Sequence, residues 1–199
     1  MGRASLVVRA GRELLTRIGS PLAERLAHPP AAGWHGALSG FGYRFFSAAR
    51  VANLLDALGA VLRRHGSLHA AWVSTGAAGW AALNAFAALF RTGADLGVLV
   101  PVENTSGANK RLNLFLRWMV RSDGVDLGLW PSPRPAELFM PIDTHVLQWA
   151  RAEGLTPRKT ADRQTCLEVT AALRAMAPDD PLRWDFAITR AGMDAKNTL

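Results

Sequence analysis

The sequence predicts an all-α protein. Apolar residues recur at helical spacing in segment after segment, and no stretch of useful length alternates as a half-buried strand does. Glycine or proline follows several of these segments, as expected at helix ends. The chain has 199 residues, 49% hydrophobic and 20% charged, and shows no internal repeat. It is therefore a globular protein of one domain or two small lobes.

The first helices are defined by their faces and caps. The spacing predicts a helix over 5–18 whose inward face is formed by Leu6, Val7, Leu14, Leu15 and Ile18. A loop follows around Pro29 and Pro30. Ser47 is the expected N-cap of a helix over 48–64, with Gly66 just past its end. A short helix over 67–73 comes next, and a uniformly apolar helix over 77–91 is expected in the core.

The second half continues the pattern. A turn-rich stretch leads into an amphipathic helix over 109–121, and the proline-rich residues 124–141 are expected to be irregular. Further helices are predicted from Asp143 or Thr144 to Glu153, from a Thr160 cap through residue 177, and from Asp180 to about Arg190.

The cysteine count excludes several classes of protein. Cys166 is the only cysteine, so a disulfide framework, a four-cysteine zinc site and a protein-ligated iron–sulfur cluster within one chain are excluded. No signal peptide is evident. The longest apolar stretch, 77–90, is shorter than the roughly 20 residues that a membrane helix needs. We expect a soluble cytoplasmic protein without a membrane partner.

The charge balance favours an anionic partner. Lys and Arg number 23 against 16 Asp and Glu, which gives a net charge of +7 and a pI near 10.9. This balance is compatible with binding a phosphate backbone, although an arginine-rich composition without such a function is the alternative. Lysine is rare in the chain, so Lys110 stands out.

Lys110 is placed where a lysine can become a nucleophile. A tight turn delivers it into the first turn of the 109–121 helix, where the helix dipole and partial burial both disfavour an ammonium. A neutral amine can attack a carbonyl-like carbon to form a Schiff base, whereas arginine cannot. A lysine that merely faces solvent is the alternative. Arg111, Arg117 and Arg121 on the same helix predict a phosphate site or, alternatively, a solvated basic face.

Asp143 is expected to cap the helix that follows it. Capping fixes the rotamer of the carboxylate and keeps it ionised. An ionised, oriented carboxylate suits a residue that accepts a proton or stabilises a developing cation. Capping and catalysis are therefore compatible at this position.

Together, the turn leading to Lys110 and the segment Pro141-Ile-Asp143-Thr-His-Val146 resemble the helix-hairpin-helix DNA glycosylase superfamily. The separation of 33 residues between the lysine and the aspartate is similar to that of the archaeal 8-oxoguanine glycosylase branch. The stretch 110–192 is most similar to an uncharacterised bacterial branch filed as a domain of unknown function. The superfamily's hairpin has two glycines where this chain has Ser106 and Ala108.

The resemblance implies a two-lobed fold that is shortened at the N-terminus. One lobe would span 44–140 and end in the hairpin and the Lys110 helix. The other would combine 1–43 with 141–199 and carry Asp143. Lys110 would attack C1′ of a flipped nucleotide, with Asp143 assisting, and the Schiff base would permit β-elimination.

The resemblance also suggests which residues contact the substrate. Asp185, Trp184 and Trp118 would bind the flipped base, although each tryptophan is alternatively a core residue. The phosphate contacts would come from the hairpin and its helix, through Ser106, Gly107, Arg111, Arg117 and Arg121.

The predicted function is that of a base-excision repair DNA glycosylase with AP lyase activity on an oxidised purine such as 8-oxoguanine. It would act as a monomer on double-stranded DNA with a damaged base, without cofactor or metal. A non-catalytic damaged-DNA or structure-specific binding module of the same fold is the alternative, and a truncated, non-functional member is a second.

Overall fold

The chain folds into two helical units. The computed structural model describes residues 4–91, 93–102 and 105–189. Two compact units divide the chain, Met1–Glu103 and Asn104–Leu199. Helix accounts for 58% and strand for 3% of the described residues, so this part of the chain is all-α as predicted. The boundaries of the predicted lobes, 44–140 and 1–43 plus 141–199, differ from those of these two units. The division into these lobes stays a prediction.

The first unit is built around one long helix. Its elements are α1 (Ala4–Ile18), α2 (Leu22–Ala27), α3 (Gly33–Ala37), β1 (Gly42–Tyr43), β2 (Phe46–Ser47), α4 (Ala48–His65), α5 (Leu68–Ser74), α6 (Gly79–Ala88) and a 3₁₀ turn at Gly97–Leu99. Ser47 caps α4 by accepting from the Arg50 amide, and Gly66 ends it at φ 78°, as predicted. Gly59 lets α2 approach closely, because a Cβ there would lie 2.2 Å from the Leu26 carbonyl oxygen.

Several sequence predictions for the first unit need correction. Helix α1 forms, but Leu6, Val7 and Leu15 are 40–54% exposed, because the core reaches only the C-terminal end of the helix at Leu14 and Ile18. Helices α2 and α3 and the β1–β2 hairpin were not predicted, since they are too short to show a period. The predicted burial of α6 is confirmed by its buried Trp80, Leu83 and Phe86.

The second unit packs three helices and a final helical turn. These are α7 (Lys110–Val120), α8 (Thr144–Ala152), α9 (Arg163–Met176) and helical residues 185–189, with a 3₁₀ turn at Pro135–Glu137. Helix α9 buries a continuous face of small and branched side chains against the segment that precedes α8. That buried face consists of Thr165, Cys166, Val169, Thr170 and Leu173.

Two predicted helix starts in the second unit are wrong. Asp162, not Thr160, caps α9, because its carboxylate accepts from the Thr165 amide. The last helix begins at 185 rather than at Asp180, whose carboxylate is occupied by Arg121 and the Leu182 amide. The predicted end near Arg190 lies outside the described residues. No helix in the described parts of the chain is long and apolar enough to cross a membrane.

Candidate active site

A left-handed residue delivers Lys110 to the start of α7. Asn109 has φ 49° and ψ 35°, a conformation that asparagine tolerates better than most residues. The side chain of Asn113, which is 1% exposed, donates from Nδ2 to the Ala108 carbonyl oxygen at 2.9 Å. This turn lacks the expected pair of glycines. Asn109 instead adopts the left-handed conformation, and the Asn113 side chain stabilises the turn through its hydrogen bond.

Asp143 begins α8 at the end of a buried extended segment. Leu138, Met140 and Ile142 are buried to 2% exposure or less, which fixes the backbone leading to the aspartate. Asp143 Oδ1 accepts from the amides of His145 and Val146, both at 2.9 Å. The predicted cap is confirmed, and Oδ2 is left to face another group.

The structure brings Lys110 and Asp143 together. Lys110 Nζ lies 3.2 Å from Asp143 Oδ2, and the two side chains are 46% and 18% exposed. Burial acts to raise the pKa of Asp143, but the Val146 amide, the Lys110 ammonium and the His145 amide outweigh it. The pKa therefore lies below its usual 3.8, and the carboxylate is ionised at neutral pH. An amine and an ionised carboxylate thus meet at the first turns of two helices.

Helix α9 holds both halves of this pair. On one side, Gly107 forms a β-bridge with Asp162, and the Arg163 amide donates to the Ser106 carbonyl oxygen at 2.6 Å. The Cys166 thiol, whose pKa is raised to about 12 by burial, is a contact of Asn113 Nδ2 at 3.8 Å.

On the other side, α9 binds the backbone three residues before Asp143. The Met140 amide donates to Thr170 Oγ1 at 2.9 Å, and the Cys166 thiol donates to the Met140 carbonyl oxygen at 3.2 Å. One helix therefore fixes both the turn before Lys110 and the segment before Asp143. We call Cys166 and Thr170 of α9, together with their α7 contact Asn113, the α9 brace. None of the three was predicted, because no sequence motif marks the contacts that join α9 to Asn113 and Met140.

Arg117 and Arg121 are buried in a salt-bridge network. Their side chains are 6% exposed. Both guanidiniums contact Asp126 Oδ2, and Arg117 also pairs with Asp185. Arg121 also contacts Asp123 and Asp180. Against the expectation of phosphate contacts, these arginines neutralise internal carboxylates and offer no open face to an external anion.

Asp185 lies in the electrostatic reach of Asp143. It is 3% exposed and also accepts from Thr189 Oγ1. Burial raises the pKa of Asp185 above its ordinary value, and the Asp143 charge adds to this, although Arg117 and Thr189 act in the opposite direction. The predicted base-pocket residue is thus a buried carboxylate that pairs with Arg117.

The two predicted stacking residues differ in their surroundings. Trp118 is 44% exposed, and its carbonyl oxygen accepts from the amides of Leu127 and Gly128. Trp184 is partly buried beside an apolar cavity of about 400 Å³, with Arg183 Cζ 5.4 Å from its ring centroid. The residues that line this cavity do not include Lys110 or Asp143, and a stacking role for either tryptophan stays a prediction.

The predicted hairpin contacts lie on the surface. Ser106, Gly107 and Arg111 are exposed. Ser106 also borders a polar cavity of about 420 Å³ at the start of α9, which sequence reasoning missed. Its lining includes Arg158 and Arg163. The only feature of the sequence that could have indicated this cavity is the position of the two arginines near the start of α9.

Within the described residues, no group of three or more His, Cys, Asp or Glu side chains could hold a metal ion.

Comparison with known proteins yields one family. No curated protein and no solved structure matches the chain. A family model described as "Protein of unknown function (DUF2400)" matches residues 1–194, which is nearly the whole chain. The chain therefore belongs to the DUF2400 family.

Proposed function

We propose that this protein is a helix-hairpin-helix DNA glycosylase with AP lyase activity in base-excision repair. The observation that carries the proposal is the 3.2 Å contact between Lys110 Nζ and Asp143 Oδ2. It joins two residues that are 33 positions apart in the sequence and that each stand at the start of a helix. Both residues also lie in the segments that carry the resemblance to the superfamily.

The proposed reaction uses the amine as a nucleophile. Lys110 gives a proton to Asp143 Oδ2 and attacks C1′ of a flipped nucleotide with its lone pair. The glycosidic C1′–N bond breaks, and the base leaves with the bonding electrons and takes up a proton. One of the two protons on the attacking nitrogen moves to O4′ as the sugar ring opens, which leaves a protonated imine between Lys110 and C1′. The Asp143 carboxylate then removes a C2′ proton, the C3′–O bond breaks, and the 3′ fragment leaves with its 5′-phosphate. Water finally hydrolyses the imine and frees Lys110.

Asp143 is suited to the proton transfer. Its pKa lies below the usual value, so the carboxylate is ionised at neutral pH and, as a weak base, takes up the Lys110 proton only transiently before passing it on. Its cap bonds use Oδ1, which leaves Oδ2 directed at the amine. After transfer, the carboxyl group can return the proton to the departing base.

We propose an oxidised purine such as 8-oxoguanine as the substrate and Asp185 as the acidic residue of its pocket. This proposal rests on the resemblance. We assign the DNA-phosphate contacts to the exposed Ser106, Gly107 and Arg111, because Arg117 and Arg121 are occupied internally.

The test is borohydride trapping on two duplexes, one with an abasic site and one with 8-oxoguanine. Wild type should give a covalent adduct on both. K110Q and K110R should give none, since neither side chain forms an imine. K159Q is the matched control, because Lys159 is an exposed lysine of the same unit, and it should trap like wild type.

The same experiment separates the enzyme from the binding module. A binder would shift both duplexes in a gel with wild-type and K110Q affinities nearly equal, and it would give no adduct with any variant. That result, from protein that melts cooperatively, would overturn the glycosylase proposal.

A further inference from the structure

The hairpin of the first unit ends in a two-residue turn made of Arg44 and Phe45. Strand β1 pairs with β2 in an antiparallel register, with Tyr43 opposite Phe46. Arg44 therefore occupies the first central position of the turn and Phe45 the second. We call these two residues the Arg44–Phe45 tip.

The backbone of the tip does not suit its sequence. Arg44 has φ 55°, in the left-handed region where a Cβ is unfavourable. Two-residue hairpins with positive φ at the first central position strongly favour glycine, asparagine or aspartate there. The turn alone would be more stable with one of those residues. Arg44 is therefore not needed to form the turn.

The side chains of the tip face solvent from a fixed base. Phe45 is 71% exposed, the largest value among the exposed large apolar residues of the described chain. The Arg44 guanidinium carbon lies 5.3 Å from the Phe45 ring centroid. At the base, Phe41 is 7% exposed and Ser47 caps α4. An aromatic ring with an adjacent guanidinium is thus displayed on a short, anchored projection.

The surroundings of the tip favour an anionic partner. The sequence has no acidic residue between Glu24 and Asp56, while it carries Arg25 and Arg44 in that interval; a third arginine, Arg50, is paired with Asp95. The first unit as a whole has ten arginines against five acidic residues. Aromatic rings stack on unpaired bases of any sequence, and arginine adds phosphate contacts and cation–π attraction.

We propose that the Arg44–Phe45 tip is a DNA contact in which Phe45 stacks on an unstacked base and Arg44 binds the adjacent phosphate. In this proposal the unfavourable backbone conformation of Arg44 serves to present both side chains to the DNA together. This surface is independent of the Lys110 chemistry, and it would operate equally in an enzyme and in a non-catalytic binder.

The experiment measures DNA affinity in the full chain carrying K110Q, so that no strand is cleaved. Fluorescence anisotropy at fixed salt compares an intact duplex with one that holds a single abasic site, which leaves the opposite base unpaired and easier to unstack. F45A should weaken binding to the abasic duplex about 10- to 100-fold, the range found when one stacked base loses its aromatic partner. V73A is the matched control, since Val73 is 55% exposed on the same unit, and it should bind like the parent.

A second variant separates this role from a structural one. R44G should raise the melting temperature, because glycine accepts positive φ, and at the same time weaken DNA binding several-fold. Three results would each overturn the proposal. The K110Q parent could bind neither duplex, the DNA affinity of F45A could lie within twofold of that of V73A, or R44G could have a lowered melting temperature. Failure of lysine trapping would leave it intact, because the affinities are measured without that lysine.

Discussion

At the scale of single residues, Asp143 divides its two functions between its two oxygens. Oδ1 accepts from the backbone at the start of α8, and Oδ2 accepts from Lys110. Asparagine caps helices about as well as aspartate but cannot accept the lysine proton. Substitution can therefore remove the chemistry while leaving the helix start in place.

We predict that D143N lowers the rate of borohydride-trappable adduct formation by 10²- to 10⁴-fold, the usual range for loss of a general acid–base. Its unfolding free energy should stay within about 1 kcal/mol of wild type, since the cap survives and a partly exposed ion pair contributes little. D143A should lose the rate and also about 1 kcal/mol for the cap. Single-turnover trapping measures the rate of adduct formation, and urea unfolding measures the unfolding free energy. A D143N variant that traps at the wild-type rate would remove Asp143 from the mechanism.

The residue-scale features that were predictable are those with local causes. Asp143 follows Pro141 and precedes an apolar helix, so its cap could be predicted and is confirmed. Lys110 opens α7 as expected. The 3.2 Å contact between them depends on tertiary packing, and the family resemblance was the only indication of it.

At the scale of elements, α7 shows why a basic helix face need not be a binding surface. The sequence has no acidic residue from 104 to 121, and this suggested an open phosphate site. The carboxylates that neutralise Arg117 come from Asp126, in the next loop, and from Asp185, 68 residues away. Spacing within one helix could not reveal partners brought in by the fold.

We predict that R117M costs about 3–5 kcal/mol of unfolding free energy, because it leaves buried carboxylates unpaired. R111M, on the exposed face of the same helix, should change stability by less than about 0.5 kcal/mol. Urea unfolding of both variants tests this. If Arg117 instead served DNA, R117M would fold normally and its binding would depend less steeply on salt.

The α9 brace connects an element to the candidate site. Thr170 Oγ1 accepts from the buried Met140 amide and is nearly isosteric with a valine methyl. We predict that T170V costs about 1–3 kcal/mol for the unsatisfied amide and loosens the segment that leads to Asp143. The pKa of Asp143 should then rise towards 3.8, as Lys110 and the cap amides hold it less firmly. An NMR titration of the carboxyl groups measures the pKa of Asp143 directly, whether or not the protein is an enzyme.

The control for this prediction is on the same helix. A171S alters an exposed position next to Thr170 and should leave the Asp143 titration unchanged. An unchanged titration in T170V, despite lost stability, would show that the brace supports the fold without positioning Asp143.

At the scale of the whole molecule, the helical class was predictable because long amphipathic segments carry a strong period. Helices α4 and α6 and most of α9 lie where the apolar spacing placed them. The short helices α2 and α3 carry too few residues for a period to emerge, and the face that α1 exposes depends on which neighbours cover it.

Acid should unfold the molecule below pH 4. The pKa of Asp162 is lowered to about 2, mainly by Arg158, and those of Asp123 and Asp143 are also lowered. A carboxyl group with a lower pKa when folded stabilises the protein above its unfolded pKa, and this contribution is lost as pH falls through the folded value. The raised pKa of Asp185 acts in the opposite direction.

We therefore predict a nearly constant melting temperature from pH 7 to about pH 5 and a steep fall between about pH 4 and pH 2. D162N should flatten part of that fall, because its cap survives but its titration does not. Thermal melts across this pH range provide the check. If the melting temperatures of D162N and wild type fell identically at acid pH, the loss of stability could not be assigned to the titration of Asp162.

The most direct test of the central claim is to identify the residue that holds the DNA. Wild-type protein is trapped on an abasic duplex with borohydride, digested, and its cross-linked peptide sequenced by mass spectrometry. The chain has just three lysines, at 110, 159 and 196, so the assignment is unambiguous. We predict a reduced sugar on Lys110 alone. A sugar on Lys159, on Lys196 or on the N-terminal amine, or no cross-linked peptide at all, would contradict a site built on Lys110 and Asp143.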